Sequence, residues 1–200
     1  MSSLHCPARV LVARHGDAEY ETDLCSDHGG SLTPLGRKQA RELASSLAGE
    51  RVARVWTSPL SRAVQTAEIV AGVLGTDVVV REGLREYSVG ALAGTTVHEK
   101  GYFEGVFRAW VEGDESAAIE GGERISDVVA RVEAVLGEIA DEHRGETALV
   151  VSHGGAMLAT LPQLAGLPRS RGWGVSLPNC AVLGFDADAD GWRVTRWDGP

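Results

Sequence analysis

The sequence alternates short apolar runs rich in β-branched residues with longer stretches of helical periodicity, and this alternation constrains the fold most. Strands are predicted at residues 10–13, 52–56, 78–80, 148–151, 181–185 and 192–197. An alternating order of this kind is typical of an α/β fold in which helices cover a mostly parallel sheet. We therefore expect a three-layer α/β/α sandwich around a central sheet of about six strands.

Helix starts are predicted at two places where a hydroxyl residue precedes a proline, Thr33-Pro34 and Ser58-Pro59. A serine or threonine side chain can cap the first turn, and proline is favoured at the first helical position. The positions expected to be buried are Leu35, Leu43 and Leu47 in the first helix, and Leu60, Ala63, Ala67 and Leu74 in the second. A third helix is expected to bury Val128, Val132, Val135 and Ile139.

Residues 90–122 are rich in glycine, glutamate and aromatic side chains and have weaker periodicity. We expect a single domain of residues 1–200 in which this segment forms a small helical cap. Four aromatic residues of the segment have helical spacing, which favours packing onto the core, although some could instead face a substrate: Tyr102, Phe103, Phe107 and Trp110.

The formal net charge of −9 disfavours binding to nucleic acid or to an anionic membrane. No apolar run approaches the length of a membrane span, and the first residues lack the features of a signal peptide. The three cysteines, Cys6, Cys25 and Cys180, are far apart and suggest neither a disulfide framework nor a zinc site. We expect a cytoplasmic protein, and an anionic substrate would have to meet a local cationic site.

Two predicted strands end in the same way, with a polar residue, a histidine and a glycine: Arg14-His15-Gly16 and Ser152-His153-Gly154. Ligands of open α/β sheets bind beyond the carboxyl ends of the strands, so both histidines are expected there. Arg62 follows another predicted strand and could join them. Arginine binds phosphoryl oxygens through its planar fork, and a histidine nitrogen can accept a phosphoryl group. These residues predict a phosphoryl-transfer site.

Five sequence blocks, in order, resemble those of the histidine phosphatase superfamily, which includes phosphoglycerate mutase-like enzymes. The blocks are Arg14-His15-Gly16, residues 57–67, Glu86 with residues 90–94, Gly121-Gly122-Glu123, and residues 151–154. The resemblance implies that His15 is transiently phosphorylated and that Glu86 protonates the leaving alkoxide and later activates water. It also implies a phosphate pocket built from Arg14, Arg62, His153 and Gly154, with no metal ion or other cofactor.

The resemblance favours a metal-independent phosphatase that acts on a small-molecule phosphomonoester. Two alternatives stay open. A phosphoglycerate mutase would need cations for the substrate carboxylate, for which Arg108 and Arg124 are the candidates in the second half of the chain. A protein phosphohistidine phosphatase is suggested by the opening residues 14–18, but such enzymes lack the segment that begins at Glu86. A homodimer would be compatible with this fold.

The loop after His15 departs from the family pattern. The family places a phosphate-contacting asparagine a few residues after the histidine, and Glu21 stands at that position here. Because a carboxylate would repel a phosphoryl oxygen, we expect either that Glu21 points outward or that the loop follows another path.

Overall fold

The central sheet of the computed structural model has six strands in the order β5-β4-β6-β1-β7-β8, and a separate hairpin is formed by β2 and β3. The structure describes residues 6–96 and 100–198, with the backbone alone for residues 100–103. The strands are β1 (Ala8–Arg14), β2 (Ala18–Glu19), β3 (Ser31–Leu32), β4 (Val52–Thr57), β5 (Asp77–Val80), β6 (Thr147–Ser152), β7 (Val182–Asp188) and β8 (Gly191–Trp197).

The predicted α/β fold is confirmed, and the sheet is mostly parallel. The pairs β5–β4, β4–β6 and β6–β1 are parallel, whereas β7 is antiparallel to both of its neighbours. All six predicted strands are present with small changes at their ends. The hairpin of β2 and β3 was not predicted, because two-residue strands leave too short a pattern to recognise.

Helices cover both faces of the sheet, so the molecule has the expected three layers. The helices are α1 (Pro34–Ser46), α2 (Ser61–Leu74), α3 (Lys100–Val111), α4 (Ile125–Glu142) and α5 (Gly154–Leu164). One apolar cluster joins β1, β4 and β6 to α1 and α2, and a second joins the opposite face of these strands to α4 and α5. Alternate residues of β1 supply the two clusters, with Leu11 on one face and Val10 and Val12 on the other.

One predicted buried residue, Leu35, is 54% exposed, and that prediction was wrong. The buried face of α1 consists of Gly36, Ala40, Leu43 and Ala44. This face repeats at helical spacing, and Leu35 lies one residue outside it. Thr33 caps α1 as predicted, since its hydroxyl accepts the backbone N–H of Gly36 at 3.0 Å.

The predicted cap at Ser58 was also wrong. Helix α2 begins at Ser61, and the capping position is taken by Leu60, whose side chain makes no capping bond. The hydroxyl of Ser58 instead accepts the backbone N–H of Leu60 at 3.2 Å and pairs with the ring of His153 at 2.7 Å. Ser58 therefore belongs to the polar cluster at the strand ends rather than to the start of α2.

The segment 90–122 contains α3, which packs through a third apolar cluster against the start of α4 and against α5. Phe107 and Trp110 are buried in this cluster, so packing accounts for these two aromatic residues. The side chains of Tyr102 and Phe103 lie outside the described residues. That the segment acts as a cap of a single domain stays a prediction.

Within the described ranges, no helix combines the length and the apolar composition needed to cross a membrane.

Candidate active site

The two predicted histidines meet at the carboxyl edge of the sheet. Strands β1 and β6 are parallel neighbours with Arg14 opposite Ser152, so the next residue of each strand is a histidine at the same level. The ring centroids of His15 and His153 lie 5.2 Å apart, with the planes tilted by 55°. Both side chains are buried, at 6% and 0% exposure. The strand register thus creates the pair.

The ring of His15 is held with a defined proton position. Its Nδ1 lies 2.7 Å from the carbonyl oxygen of Gly16, and because a carbonyl only accepts, Nδ1 carries the proton. Burial, together with the charges of Arg62 and Arg14, lowers the pKa of His15 to about 4, against the effect of the Gly16 bond. At neutral pH the ring is therefore uncharged and Nε2 has a free lone pair.

His153 is fixed through Nε2, which lies 2.7 Å from the hydroxyl of Ser58. That hydroxyl already accepts the Leu60 N–H, so it can give its own proton to Nε2 and leave the ring proton on Nδ1. Nδ1 is buried without a partner among the described residues. Burial, Arg62 and His15 lower the pKa of His153 well below its usual range. The lowered pKa and the bond to Ser58 favour a neutral ring that can donate through Nδ1.

Arg14 and Arg62 supply the fixed positive charge near His15. Arg62 is 5% exposed and donates to the carbonyl of Gly29 at 3.0 Å, whereas Arg14 donates to the carbonyl of Leu177. The Nε atom of each guanidinium is buried and has no partner among the described residues. Buried donors of this kind normally bind a protein group or a ligand. Both arginines therefore retain donors for an anion.

Gly154 lies beside Arg14. It is the first residue of α5, and a Cβ built on it would meet Arg14 Nε at 3.5 Å.

Glu86 is placed by the N-terminus of α5. Its carboxylate accepts the backbone N–H groups of Gly155 at 3.0 Å, Ala156 at 2.7 Å and Tyr87 at 3.1 Å. Burial raises the pKa of Glu86, although these three bonds and the charge of Arg62 oppose the rise. A carboxyl group with a raised pKa can hold a proton at mildly acidic pH and can later accept one.

Arg131 on α4 holds the segment that carries Glu86, and sequence reasoning missed it. Its guanidinium donates to the carbonyls of Gly83, Arg85 and Glu86 at 2.9, 2.7 and 3.1 Å. It also binds both carboxylate oxygens of Glu123, at 2.8 and 3.0 Å. Glu123 is the acidic residue of the fourth family block. The block therefore marked Glu123 in the sequence but did not indicate its ion pair with Arg131.

Sequence reasoning also did not single out two polar residues that bond the backbone at His15 and Gly16. Thr66 accepts the backbone N–H of Gly16 at 3.0 Å and donates to the carbonyl of Arg62 at 2.7 Å, which ties the two site segments together. Asn179 donates to the backbone carbonyl of His15 at 3.0 Å. Thr66 lies inside the second family block, whereas nothing in the pattern around Asn179 marks it.

A cavity of about 440 Å³ opens beside these groups. His15, Arg62 and Glu86 line it, together with residues of the loops that follow β2 and β5 and of α3. The remaining lining residues are Tyr20, Thr22, Leu24, Cys25, Ser26, Asp27, Tyr87, Val89, Leu92, Thr95, Glu104 and Ile119. The volume suits a small molecule.

Glu21 takes the first of the two expected arrangements. It is exposed, is not among the residues that line the cavity, and has its carboxylate beside Gly29. The two candidate carboxylate-binding arginines, Arg108 and Arg124, are also exposed and outside the lining. Arg108 lies over the ring of Trp173 at 5.5 Å.

Within the described ranges, no group of three or more His, Cys, Asp or Glu side chains is arranged to hold a metal ion. Asp17 and Asp27, two acidic residues that follow His15, both accept protein hydrogen bonds. Asp17 binds the hydroxyl of Thr33 at 2.6 Å, and Asp27 binds that of Ser88 at 2.7 Å.

The family profile described as histidine phosphatase superfamily (branch 1) matches residues 10–199. The chain belongs to the histidine phosphatase superfamily. A curated relative named probable phosphoglycerate mutase GpmB, from Enterobacter sp. (strain 638), is 29% identical over 192 residues, covering 94% of this chain and 89% of the relative.

Two solved structures show the same superfamily architecture. A mycobacterial glucosyl-3-phosphoglycerate phosphatase in complex with VO3 is 25% identical, has a TM-score of 0.79, and is matched over 94% of this chain and 98% of its own. Bacillus stearothermophilus YhfR is 27% identical, has a TM-score of 0.80, and is matched over 94% of this chain and 95% of its own. Both alignments span nearly the whole superfamily domain.

Proposed function

We propose that this histidine phosphatase hydrolyses a small phosphomonoester through a phosphohistidine intermediate on His15, without a metal ion. The observation that carries the proposal is the Nδ1–Gly16 hydrogen bond at 2.7 Å. It leaves Nε2 of a buried, neutral ring as a nucleophile at the edge of the cavity, where burial and the charges of Arg62 and Arg14 lower the pKa of the ring.

In the first step, the lone pair of His15 Nε2 attacks phosphorus and the bond from phosphorus to the ester oxygen breaks. Glu86 gives its proton to the leaving oxygen, so the alcohol departs and the phosphoryl group stays on Nε2. The raised pKa of Glu86 supports this role as general acid.

In the second step, the Glu86 carboxylate takes a proton from water, and the water oxygen attacks phosphorus. The nitrogen–phosphorus bond breaks, inorganic phosphate leaves, and both His15 and Glu86 return to their starting protonation states. Covalent catalysis of this kind divides one difficult displacement into two easier ones.

Charge on the three phosphoryl oxygens is neutralised by the side chains of Arg14 and Arg62, which the fold holds in place before substrate binds. Arg62 lines the cavity, whereas Arg14 and His153 are not among its lining residues and act on His15 from beside it. We assign the unpartnered, buried Nε atoms of both arginines and the Nδ1 of His153 to these oxygens. Gly154, the first residue of α5, lies next to Arg14. Donors that are already oriented cost no reorganisation during the reaction, which is why such sites accelerate phosphoryl transfer.

Mutase activity is the second candidate, because the curated relative carries the name probable phosphoglycerate mutase. We favour hydrolysis, since Arg108 and Arg124 do not line the cavity and leave a phosphoglycerate carboxylate without either proposed cation. The solved mycobacterial relative is itself named a phosphatase.

The test measures hydrolysis of p-nitrophenyl phosphate at mildly acidic pH, with and without a chelator, by the wild type, His15→Ala and a control, His28→Ala. His28 is exposed and outside the cavity lining. His15→Ala is expected to lose more than about 1,000-fold in kcat/KM, whereas the control and the chelator change little.

A rapid acid-free quench with labelled substrate should trap an acid-labile, base-stable phosphoprotein in the wild type alone. Hydrolysis that survives His15→Ala, or that the chelator abolishes, would overturn the mechanism. Transfer of label between phosphoglycerates in place of phosphate release would favour the mutase.

A further inference from the structure

Charge is divided between two parts of the cavity. Its buried part carries His15 and Arg62, whereas its more exposed wall carries two carboxylates, Asp27 and Glu104. Among the described side chains that line the cavity, Arg62 is the one permanent cation. We therefore expect the phosphoryl group to bind in the buried part, beside Arg62, and the rest of the substrate to lie against the acidic wall.

Asp27 is fixed in that wall. One of its carboxylate oxygens accepts the hydroxyl of Ser88 at 2.7 Å, and the other accepts the backbone N–H of Val89 at 2.6 Å. Both partners follow Glu86 by two or three residues, so the position of Asp27 is tied to that of the proposed general acid. An incoming anion could not displace this carboxylate without breaking both bonds.

Backbone pairing between two loops makes the wall continuous. The N–H of Cys25 donates to the carbonyl of Thr95 at 2.8 Å, and the N–H of Gly94 donates to the carbonyl of Cys25 at 2.9 Å. Leu24 and Thr96 add an isolated antiparallel bridge. The loop that carries Asp27 is thus held against the segment after Glu86.

Among the described residues, the other side chains of this wall carry no formal charge. Apolar contact is offered by Leu24, Val89, Leu92 and Ile119, and hydroxyl groups by Thr22, Ser26 and Thr95. Such a surface suits a substrate body with apolar and hydroxyl groups. A second anionic group on the substrate would lose its hydration and be repelled by the fixed carboxylates of the wall. Binding sites discriminate against unwanted ligands through unfavourable contacts of this kind.

We infer that this wall selects phosphomonoesters whose body carries no carboxylate, and that Asp27 and Glu104 enforce the selection. The inference rests on the proposed function and names the substrate class of the same site. It sets this chain apart from a phosphatase of a carboxylate-bearing ester, such as the solved mycobacterial relative named for glucosyl-3-phosphoglycerate.

The test uses two pairs of substrates that differ at one group. O-Phosphoethanolamine and O-phosphoserine differ only in the carboxylate, and glycerol 3-phosphate and 3-phosphoglycerate differ in a hydroxymethyl group against a carboxylate. For both pairs, kcat/KM of the wild type is expected to favour the ester without the carboxylate by about tenfold or more.

The double variant Asp27→Asn/Glu104→Gln removes both charges with little change of shape. An asparagine at position 27 can still accept the N–H of Val89 and donate to Ser88. The preference is expected to fall by at least about threefold in this variant. The control Glu68→Gln/Glu112→Gln makes the same change of net charge at exposed positions outside the cavity, and it should keep the wild-type preference.

Dissociation constants of the same four esters, measured by calorimetry on His15→Ala, separate this inference from the proposed function. A binding preference without turnover in the wild type would support the wall and contradict the phosphatase. Equal or tighter binding of the carboxylate-bearing esters, or an equal change of preference in the control double variant, would overturn the inference.

Discussion

Nδ1 of His15 donates to the carbonyl oxygen of Gly16, the next residue of the chain, at 2.7 Å. The bond fixes which nitrogen of the ring carries the proton, and burial beside two arginines keeps the ring neutral far below the usual histidine range. The proposed nucleophile therefore has a free Nε2 lone pair, and it needs no separate base to remove a proton.

The pH dependence should be acid-shifted. Because the pKa of His15 is lowered to about 4, kcat/KM should rise as pH increases through about 4, where the nucleophile loses its proton. Because burial raises the pKa of Glu86, activity should persist above the usual carboxyl range and then fall as Glu86 ionises. The profile is measured on an alkyl phosphate between pH 3 and 8, corrected for substrate ionisation. A rising limb near the usual histidine pKa would contradict the burial argument.

Glu86→Gln should discriminate between leaving groups. An alkoxide needs the proton that Glu86 supplies, so kcat for an alkyl phosphate should fall by about 100- to 10,000-fold. A nitrophenolate leaves without a proton, so the burst of nitrophenol release should fall by less than about tenfold on this account. Burst kinetics on both esters check the prediction. Equal losses would show that Glu86 is not a general acid.

Arg131→Lys tests positioning at a distance from the substrate. Lysine keeps the charge but cannot reproduce the planar fork that binds three carbonyls and Glu123. We expect kcat on alkyl phosphates to fall by about tenfold or more, with a smaller change in KM and a shifted alkaline limb of the pH profile.

The matched control is Arg81→Lys. Arg81 makes an equally close carboxylate pair with Glu138, but it does so at the exposed surface outside the cavity. If both substitutions had the same effect on kcat, the special role of Arg131 would be lost.

Gly36→Ala should destabilise the fold and disturb the His15 loop. A Cβ at position 36 would lie 2.0 Å from the carbonyl oxygen of Asp17, so backbone must move. Overpacking of this kind lowers the free energy of unfolding by about 1–3 kcal/mol, and hydrolysis should fall with it.

Gly137→Ala on α4 is the control, because no atom beyond the neighbouring backbone of the helix lies within 4 Å of its added Cβ. It should raise the free energy of unfolding by about 0.5–1 kcal/mol, since alanine favours the helix. Urea denaturation of both variants decides the sign. An unchanged Gly36→Ala would mean that the Asp17 loop yields without cost.

The sequence was sufficient for the sheet because each buried strand is a short apolar run with clear ends. It was also sufficient for the meeting of His15 and His153, since parallel strands bring their carboxyl ends to one edge. It was insufficient for Leu35 and Ser58, where a local pattern competed with tertiary contacts. A leucine next to the apolar face of a helix is predicted to be buried, but the packing of α1 leaves Leu35 exposed. A serine before proline is predicted to be a cap, but Ser58 bonds the ring of His153.

Arg131 and Asn179 were out of reach for a different reason. Each acts on backbone atoms far away in sequence, with Arg131 bound to Gly83 and Asn179 to His15. A hydrogen bond to a carbonyl far away in the chain produces no spacing or periodic pattern by which the residue could be recognised in the sequence. Thr66 could be predicted to matter only because it lies within the second family block, residues 57–67.

The backbone pairing between the loop that carries Cys25 and Asp27 and the segment at Gly94 bears on how the substrate range of this enzyme can change in evolution. Its few backbone bonds lie near the surface, whereas His15 continues a strand that is bonded on both sides within the sheet. Amide hydrogen exchange should therefore be fast in the loop and slow at His15, because local opening costs less than opening the sheet. On the proposed function, substitutions in this loop would change the range of substrates while His15 stays in place, so a lineage could change its substrate without first losing its chemistry.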